Sequence, residues 1–182
     1  MNEKQKKRTG KFISLILRHA PEKIGLQLDN AGWAEVDELL AGLQRKGHGI
    51  SFEQLQELVA TNDKKRYSFN ADQTRIRANQ GHSLTLDLQL ESREPPEQLF
   101  HGTATRFLDS IRMQGLVKGS RHHVHLSADV ETAHKVGSRH GKPVVLNVDA
   151  LSMHQAGHIF YCSENGVWLT EHVPPGYLSG LE

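Results

Sequence analysis

The chain has 182 residues, of which 37% are hydrophobic and 24% charged, a composition typical of one globular domain or two small ones. The formal net charge is only +1, so the overall charge does not draw the chain to nucleic acid, and any such contact needs a local basic patch. The single cysteine, Cys162, excludes an internal disulfide and fits a reducing compartment. No apolar run approaches the ~20 residues that span a bilayer, and no signal-peptide core follows the basic N-terminus, so we expect a cytoplasmic protein.

The first predicted element is an amphipathic helix. Apolar residues recur at helical spacing over residues 12–17 and Pro21 stops the helix, which places Arg18 and His19 at its C-terminal end. The basic residues that precede this apolar segment are Lys4, Lys6, Lys7, Arg8 and Lys11. Because blocks of like charge usually form solvated faces, we interpret this cluster as a solvated helix start.

Two more helices and a hairpin follow. The predicted segments are a helix marked by apolar residues from 33 to 43, a helix opened by the capping box at 51–54, and two strands at 67–69 and 74–76 around a turn at 70–73. Three helices followed by a hairpin predict a winged-helix-like lobe.

A linker separates this lobe from a second one. Leucines 84, 86, 88 and 90 alternate with polar residues as in a half-buried strand, and residues 91–97 are polar and contain two prolines. We therefore predict an N-terminal lobe over residues 1–92 and a C-terminal lobe over residues 97–182.

The second lobe mixes helices and strands. The predicted segments are a helix over 106–113 closed by Gly115, a strand over 124–127, a helix over 129–139 closed by Gly141, a buried strand over 143–148, and a hairpin turning at Asn165-Gly166. The chain as a whole is predicted to be of the α+β class.

Several familiar sites are excluded by spacing. The segment 137–142 has three residues between its glycines where a P-loop has four, and no Gly-x-Gly-x-x-Gly follows a strand. No Gly-x-Ser-x-Gly elbow indicates an acyl-transfer serine. Although the chain has 12 histidines, Gly157 would break a helix carrying His154 and His158, and a lone cysteine cannot build a cysteine-rich zinc site.

Four basic residues favour a phosphate site, although each has a simpler explanation. Arg18 and His19 could merely cap a helix, Arg66 could be a solvated charge at a strand edge, and Arg121 could be an ordinary loop residue. However, each lies beside the end of a predicted element, and both lobes contribute one or more of them. Guanidinium groups suit phosphate because their planar donors pair with two oxygens and stay charged.

Six blocks of the chain resemble the NAD-dependent RNA 2'-phosphotransferases, in the same order and over nearly the whole length. These blocks are Leu17-Arg18-His19, Lys64-Lys65-Arg66-Tyr67-Ser68, Ile76-Arg77-Ala78-Asn79-Gln80-Gly81-His82-Ser83, Phe100-His101-Gly102-Thr103, Val124-His125-Leu126-Ser127 and Asn165-Gly166-Val167-Trp168-Leu169. The resemblance implies a winged-helix N-terminal lobe and a C-terminal lobe of the ADP-ribosyltransferase type.

The resemblance also implies a two-step reaction that consumes NAD and needs no metal. An internal RNA 2'-phosphate attacks the anomeric carbon of the nicotinamide ribose and expels nicotinamide. The neighbouring ribose 2''-hydroxyl then attacks the phosphorus, which releases 2'-hydroxyl RNA and ADP-ribose 1'',2''-cyclic phosphate. The partners implied are NAD and an RNA with an internal 2'-phosphate, such as a spliced tRNA, and nothing in the sequence requires more than a monomer.

The family's phosphate-handling tetrad corresponds to Arg18, His19, Arg66 and Arg121, with His19 either binding the phosphate or also transferring a proton. The residues that resemble the family's NAD pocket are His101, Gly102, Thr103, His125 and Ser127, with Arg139 as a pyrophosphate partner. In this resemblance Gly102 lets the dinucleotide approach the backbone.

Val167 stands where many ADP-ribosyltransferases place a glutamate. A phosphate monoester, with a second pKa of about 6, is anionic near neutrality and needs no base to act as a nucleophile. Two other functions remain open: a nucleic-acid-binding NAD or ADP-ribose sensor, and an ADP-ribosyltransferase that caps terminal phosphates of nucleic acid.

Overall fold

The computed structural model describes residues 1–62, 64–84 and 88–181. These residues form two compact units, one that ends at Gln89 and one that begins at Leu90. Both units contain helices and strands, which confirms the α+β class. The winged-helix and ADP-ribosyltransferase types of the two lobes stay predictions.

The first unit packs three helices with a small antiparallel sheet. Its elements are α1 (Glu3–Arg18), β1 (Ala34–Glu35), α2 (Val36–Arg45), α3 (Phe52–Ala60), β2 (Tyr67–Phe69) and β3 (Arg75–Ala78). The strands lie in the order β1-β3-β2, and a 3-10 turn, Pro21–Ile24, follows α1. Helices α1 and α3 each begin with a capping box, at Asn2 and Ser51, that satisfies backbone N–H groups otherwise left without partners.

The core of this unit fixes the C-terminal end of α1. Ile13, Ile16 and Leu17 of α1 are fully buried, together with Leu39 of α2 and Ile76 of β3. Burying an aliphatic side chain of this size contributes about 1.5–3 kcal/mol. The end of α1, where the predicted phosphate ligands lie, is therefore held by a packed core.

The three helices and the hairpin of this unit are confirmed, with two differences. The second helix begins only at Val36, because Glu35 is extended and pairs with Arg75 of β3. The apolar pattern did not predict this short strand, β1. The strand predicted from the leucines at 84–90 is wrong for residues 84 and 88–90, which lie outside any strand. Residues 85–87 lie outside the described part of the chain.

The second unit contains three small sheets and three helices among its described residues. Its elements are β4 (Gln98–Ala104), α4 (Leu108–Gln114), β5 (Leu116–Val117), β6 (Val124–Leu126), α5 (Val130–Gly137), β7 (Pro143–Asp149), α6 (Ala150–Gln155), β8 (Phe160–Cys162), β9 (Trp168–Thr170), β10 (His172–Val173) and β11 (Leu178–Ser179). The sheets have the strand orders β11-β7-β4, β6-β9-β8 and β10-β5.

Two contacts shape the part of this unit that carries the predicted NAD residues. Phe100 of β4 and Ser127 after β6 exchange backbone hydrogen bonds of 2.9 and 2.7 Å, which join the first two sheets. Helix α5 packs directly on β4, and its N-terminus is capped by Asp129, whose carboxylate accepts from the Thr132 N–H at 2.7 Å.

The predicted elements of this unit are mostly confirmed. The hairpin at Asn165-Gly166 joins β8 to β9, and α4 ends at the predicted Gly115, after a first turn that is a 3-10 helix, Thr105–Phe107. The prediction of a helix to residue 139 closed by Gly141 is wrong, because α5 ends at Gly137. The strand over 143–148 is only half-buried, since Leu146 and Val148 face the core while Asn147 between them is exposed.

None of the helices in the described part of the chain is long and apolar enough to cross a membrane.

Candidate active site

Arg18 and His19 lie at the C-terminal end of α1. Arg18 is the last helical residue, and His19 is the C-cap, whose backbone N–H donates to the Leu15 carbonyl at 3.0 Å. A cation at this end of a helix interacts favourably with the helix dipole. The local sequence therefore places a guanidinium and an imidazole side by side at the end of a packed helix.

A loop after β3 holds both residues. The Ser83 N–H donates to the Arg18 carbonyl at 3.0 Å, and the Ser83 hydroxyl hydrogen-bonds His19 Nδ1 at 2.9 Å. Gly81 lies beside the Arg18 guanidinium with a φ of +83°, a conformation that side-chain-bearing residues rarely adopt. The loop thus orients the imidazole ring as well as the backbone on which it is mounted.

Two asparagines hold Arg66. The Asn62 side-chain oxygen accepts from the Arg66 backbone N–H at 3.4 Å and from Arg66 Nη1 at 3.3 Å. Asn79, which is buried, donates its side-chain N–H to the Lys65 carbonyl at 2.7 Å, and its backbone N–H donates to the Arg66 carbonyl at 2.9 Å. Lys65 itself has a φ of +38°, so these bonds maintain a backbone that carries strain.

The positive charges of Arg18 and Arg66 both act on Tyr67. Its ring is buried, and its hydroxyl hydrogen-bonds the Ser14 hydroxyl at 2.6 Å and donates to the Gly10 carbonyl. Burial raises the pKa of Tyr67, while the positive charges of Arg18 and Arg66 act in the opposite direction. The first unit therefore has two fixed positive charges that act on the same tyrosine, and an imidazole next to one of them in the chain; side chains of these types suit a phosphate dianion.

The second unit contains a linked group of His101, His125 and Arg121. His101 Nδ1 lies 3.0 Å from the His125 carbonyl, and Arg121 Nη1 lies 2.9 Å from His125 Nδ1. Burial lowers the pKa of His101, the hydrogen bond to the His125 carbonyl opposes this effect, and the nearby His140 and Arg121 add to the lowering. His101 is accordingly neutral at neutral pH.

The partners of the two imidazoles define their protonation. A backbone carbonyl can only accept, so His101 carries its proton on Nδ1 and leaves Nε2 as an acceptor. A guanidinium can only donate, so His125 Nδ1 accepts and its proton lies on Nε2. Among the described residues no group of three or more His, Cys, Asp or Glu side chains could hold a metal ion.

Gly102 has a structural reason to be glycine. A Cβ at this position would lie 1.7 Å from the Ala133 carbonyl oxygen and 2.8 Å from the Gly137 nitrogen, both in the backbone of α5. The close packing of α5 on β4 therefore accounts for this glycine without any ligand. Thr103, the next residue of β4, is buried.

The remaining predicted ligands differ in their surroundings. Ser127 is half-buried at the bridge to Phe100, and Arg139 is exposed just beyond the end of α5. The first unit thus contains the neighbours Arg18 and His19 and also Arg66, whereas Arg121, His101 and His125 are linked by hydrogen bonds in the second.

The hairpin places Val167 immediately before β9. Its carbonyl accepts from the Ser163 N–H at 2.9 Å, and its own N–H donates to the Ser163 hydroxyl at 3.1 Å. Of the two glutamates nearby in sequence, Glu171 pairs with Lys118, which lowers the pKa of that carboxyl, and Glu164 lies exposed in the turn. The position before β9 therefore carries an apolar side chain rather than a carboxylate.

A sequence model described as the RNA 2'-phosphotransferase, Tpt1 / KptA family matches residues 4–172 of the chain. The chain belongs to the RNA 2'-phosphotransferase family. It is 58% identical to a probable RNA 2'-phosphotransferase of Hahella chejuensis, over 99% of this chain and 97% of that protein. It is also 52% identical to one of Pseudomonas fluorescens, over the whole of both chains, and 54% identical to one of Rhodopirellula baltica, over 97% of both.

All ten predicted site residues of this RNA 2'-phosphotransferase family member lie within the matched segment. Sequence reasoning singled out none of Asn62, Asn79 and Ser83, which hold Arg66 and His19 in place. Asn79 and Ser83 do fall in the block 76–83 that carries part of the resemblance, and that block was the available signal. Asn62 had no signal, because an asparagine after a helix usually only terminates it.

Proposed function

We propose that the chain removes an internal 2'-phosphate from RNA and transfers it to NAD. The observation that supports the proposal is the frame of the first unit, in which Ser83 hydrogen-bonds His19 and the Arg18 carbonyl, and Asn62 and Asn79 hold Arg66. Membership of the RNA 2'-phosphotransferase family identifies the phosphate as one carried on RNA.

In the proposed first step, an oxygen of the RNA 2'-phosphate forms a bond to C1'' of the nicotinamide ribose. The bond between C1'' and the nicotinamide nitrogen breaks, and nicotinamide leaves with the bonding electron pair. The phosphate is already anionic near pH 7, so no carboxylate base is needed, in agreement with Val167 before β9. The arginines hold the nucleophile in line, which converts an encounter between two molecules into a positioned reaction.

In the second step, the ribose 2''-oxygen forms a bond to the phosphorus and its hydroxyl proton passes to water. The bond between the phosphorus and the RNA 2'-oxygen breaks, and that oxygen leaves with the bonding electron pair. The arginines balance the charge that develops on the phosphoryl oxygens. We assign the proton taken up by the leaving oxygen to His19, whose ring is oriented by Ser83. The products are 2'-hydroxyl RNA and ADP-ribose 1'',2''-cyclic phosphate.

The second unit would hold NAD. His101 offers an unprotonated Nε2, which suits a ribose hydroxyl because a hydroxyl can donate whereas a pyrophosphate oxygen cannot. His125 offers an N–H donor from Nε2, and Ser127 a hydroxyl. Arg139, exposed beyond α5, suits the pyrophosphate as a fixed charge.

The test is a reaction of the protein with NAD and an RNA bearing one internal 2'-phosphate, with a 2'-hydroxyl RNA as control and mass spectrometry as readout. We expect loss of the phosphate and formation of the cyclic phosphate product. ADP-ribosylated RNA as the end product would indicate a transferase that stops after the first step, and NAD binding without turnover would indicate a sensor.

Two arginine variants localise the activity. Arg66→Ala should reduce kcat by about 100-fold or more, as expected when a donor to a developing anion is removed. Arg75→Ala is the matched control, since Arg75 lies on β3 of the same unit but pairs with Asp29 and stacks near Trp33. Turnover by Arg66→Ala at the rate of the control would contradict the proposal.

A further inference from the structure

Three exposed lysines run along α1 towards Arg18. At 100° per residue, the Cα atoms of Lys4, Lys7 and Lys11 lie within about 60° of arc that also contains Arg18. The three side chains are exposed, and we call them the basic stripe. At 1.5 Å per residue, the stripe and Arg18 span about 21 Å of helix.

The other basic residues of α1 clarify what the stripe is. Lys6 points away from the stripe and pairs with Glu57 at 2.7 Å and Glu3 at 3.5 Å. Within the described residues, no carboxylate lies in ion-pair distance of a stripe lysine. Among the described residues, the lysines of the stripe therefore form no ion pair that stabilises the fold.

The stripe also opposes the stability of its helix. Lys7 and Lys11 are like charges at i, i+4, as are Lys4 and Arg8, and such pairs are destabilising. Lys4 also lies in the first turn, where a positive charge is unfavourable next to the N-terminal end of the helix dipole. Local conflicts of this kind are expected where function demands them.

We propose that the basic stripe binds the phosphodiester backbone of the RNA strand that carries the 2'-phosphate. This inference rests on the proposed function, because Arg18 at the end of the stripe is where that function places the 2'-phosphate. Closely spaced lysines match a row of phosphates, and releasing counterions from the RNA supplies the binding free energy. A membrane surface does not fit, because the apolar face of α1, including Ile13 and Ile16, is buried in the core rather than available to lipid.

The test compares Lys7→Gln/Lys11→Gln with the matched control Lys23→Gln/Lys46→Gln. The control removes the same charge from exposed positions of the same unit outside α1. The affinity for a labelled single-stranded RNA with one internal 2'-phosphate is measured by fluorescence anisotropy without NAD. Each contact to a phosphate of a single strand contributes about 0.7 to the salt slope, so two contacts account for about a 7-fold affinity change between roughly 50 and 200 mM salt.

We expect the wild type and the control to lose about 7-fold more affinity over this salt range than the stripe variant does. The stripe variant should unfold at an unchanged or higher temperature, because its helix loses a repulsion. Equal salt dependence in all three proteins would overturn the inference. So would phosphatidylserine vesicle binding that depends on Lys7 and Lys11 while RNA binding does not.

A 2'-phosphorylated trinucleotide separates this inference from the proposed function. It is too short to reach along the stripe, so all three proteins should turn it over with NAD at the same rate. If the variants differ on the trinucleotide, the stripe is not a track for flanking RNA. If the wild type turns over neither the trinucleotide nor the longer 2'-phosphorylated RNA, the proposed function fails. A salt slope that is reduced only in the stripe variant would still support RNA binding by the stripe.

Discussion

Replacing Gly102 by alanine tests how the second unit is built around its predicted NAD residues. The new Cβ would lie 1.7 Å from the Ala133 carbonyl oxygen and 2.6 Å from its carbon. Both atoms belong to the backbone of α5, so no side-chain rotation relieves the overlap. To restore a separation of even 3.0 Å, α5 must move away from β4 by about 1.3 Å.

The movement is opposed by the rest of the packing. Gly137 of α5 also approaches β4 so closely that a Cβ there would lie 2.5 Å from the Thr103 carbonyl oxygen. Shifting α5 away from β4 therefore breaks a close backbone contact that depends on both glycines. Overpacking of a rigid core costs about 1–3 kcal/mol, and the backbone location of this overlap places it at the upper end. For a chain of this size, about 3 kcal/mol corresponds to a fall in Tm of about 6–12 °C.

Gly49→Ala is the matched control, because its Cβ would lie 1.8 Å from an atom of nearly the same kind. That atom is the Gln44 side-chain oxygen, which can rotate away. We expect Tm of Gly49→Ala to stay within about 2 °C of the wild type. Thermal unfolding followed by circular dichroism compares the two variants.

Equal Tm values for the two variants would refute the packing argument. If Gly102→Ala instead had a wild-type Tm and bound NAD more weakly, the reason for a glycine at this position would be the close approach of the dinucleotide to the backbone.

Three further outcomes follow from single contacts. Ser83→Ala should lower kcat about tenfold with little change in KM, and Ser83→Thr should restore it, because the hydroxyl orients the imidazole to which the proposed mechanism assigns proton transfer. An unchanged kcat would contradict that role. Burial lowers the pKa of His101, so the unfolded state binds a proton first and stability should fall as pH drops below about 6.5. Denaturant unfolding at several pH values checks this, and His101→Asn should weaken the pH dependence. Asp129→Ala should cost about 1 kcal/mol of unfolding free energy through loss of the α5 cap, with Asp129→Asn close to wild type.

The elements predicted most accurately were those fixed by local sequence. The capping box at Ser51 and the turn at Asn165-Gly166 determine their backbone by contacts within a few residues, and both lie where predicted. The strand β1 was missed because its only support is pairing with β3, about 40 residues away. The end of α5 was misplaced because after Gly137 the backbone continues in tighter turns, with Arg139 and His140 each donating to the carbonyl three residues earlier.

The candidate site shows a similar difference between what local sequence reveals and what depends on residues far apart in the chain. Arg18 and Arg66 could be selected from the sequence as candidate phosphate ligands, since that chemistry depends on the guanidinium itself. The hydrogen bonds that hold them could not be predicted, although Asn79 and Ser83 lie in the block 76–83 that carries part of the resemblance. Asn79 reaches back 14 residues to the Lys65 carbonyl, and Ser83 reaches back 64 residues to His19, and no local pattern encodes such distances.

The two units divide the electrostatic work of the proposed reaction. The first unit supplies charge from arginines, whose protonation does not change over the working pH range, to a substrate that is itself a dianion near neutrality. The second unit keeps His101 neutral by burial, which suits a dinucleotide because a ribose hydroxyl needs an acceptor. A charged His101 would instead add repulsion to the oxocarbenium-like ribose that forms as nicotinamide leaves. In the proposed reaction, Arg18 and Arg66 would thus supply positive charge to the phosphate, while burial would keep the His101 ring uncharged beside the ribose.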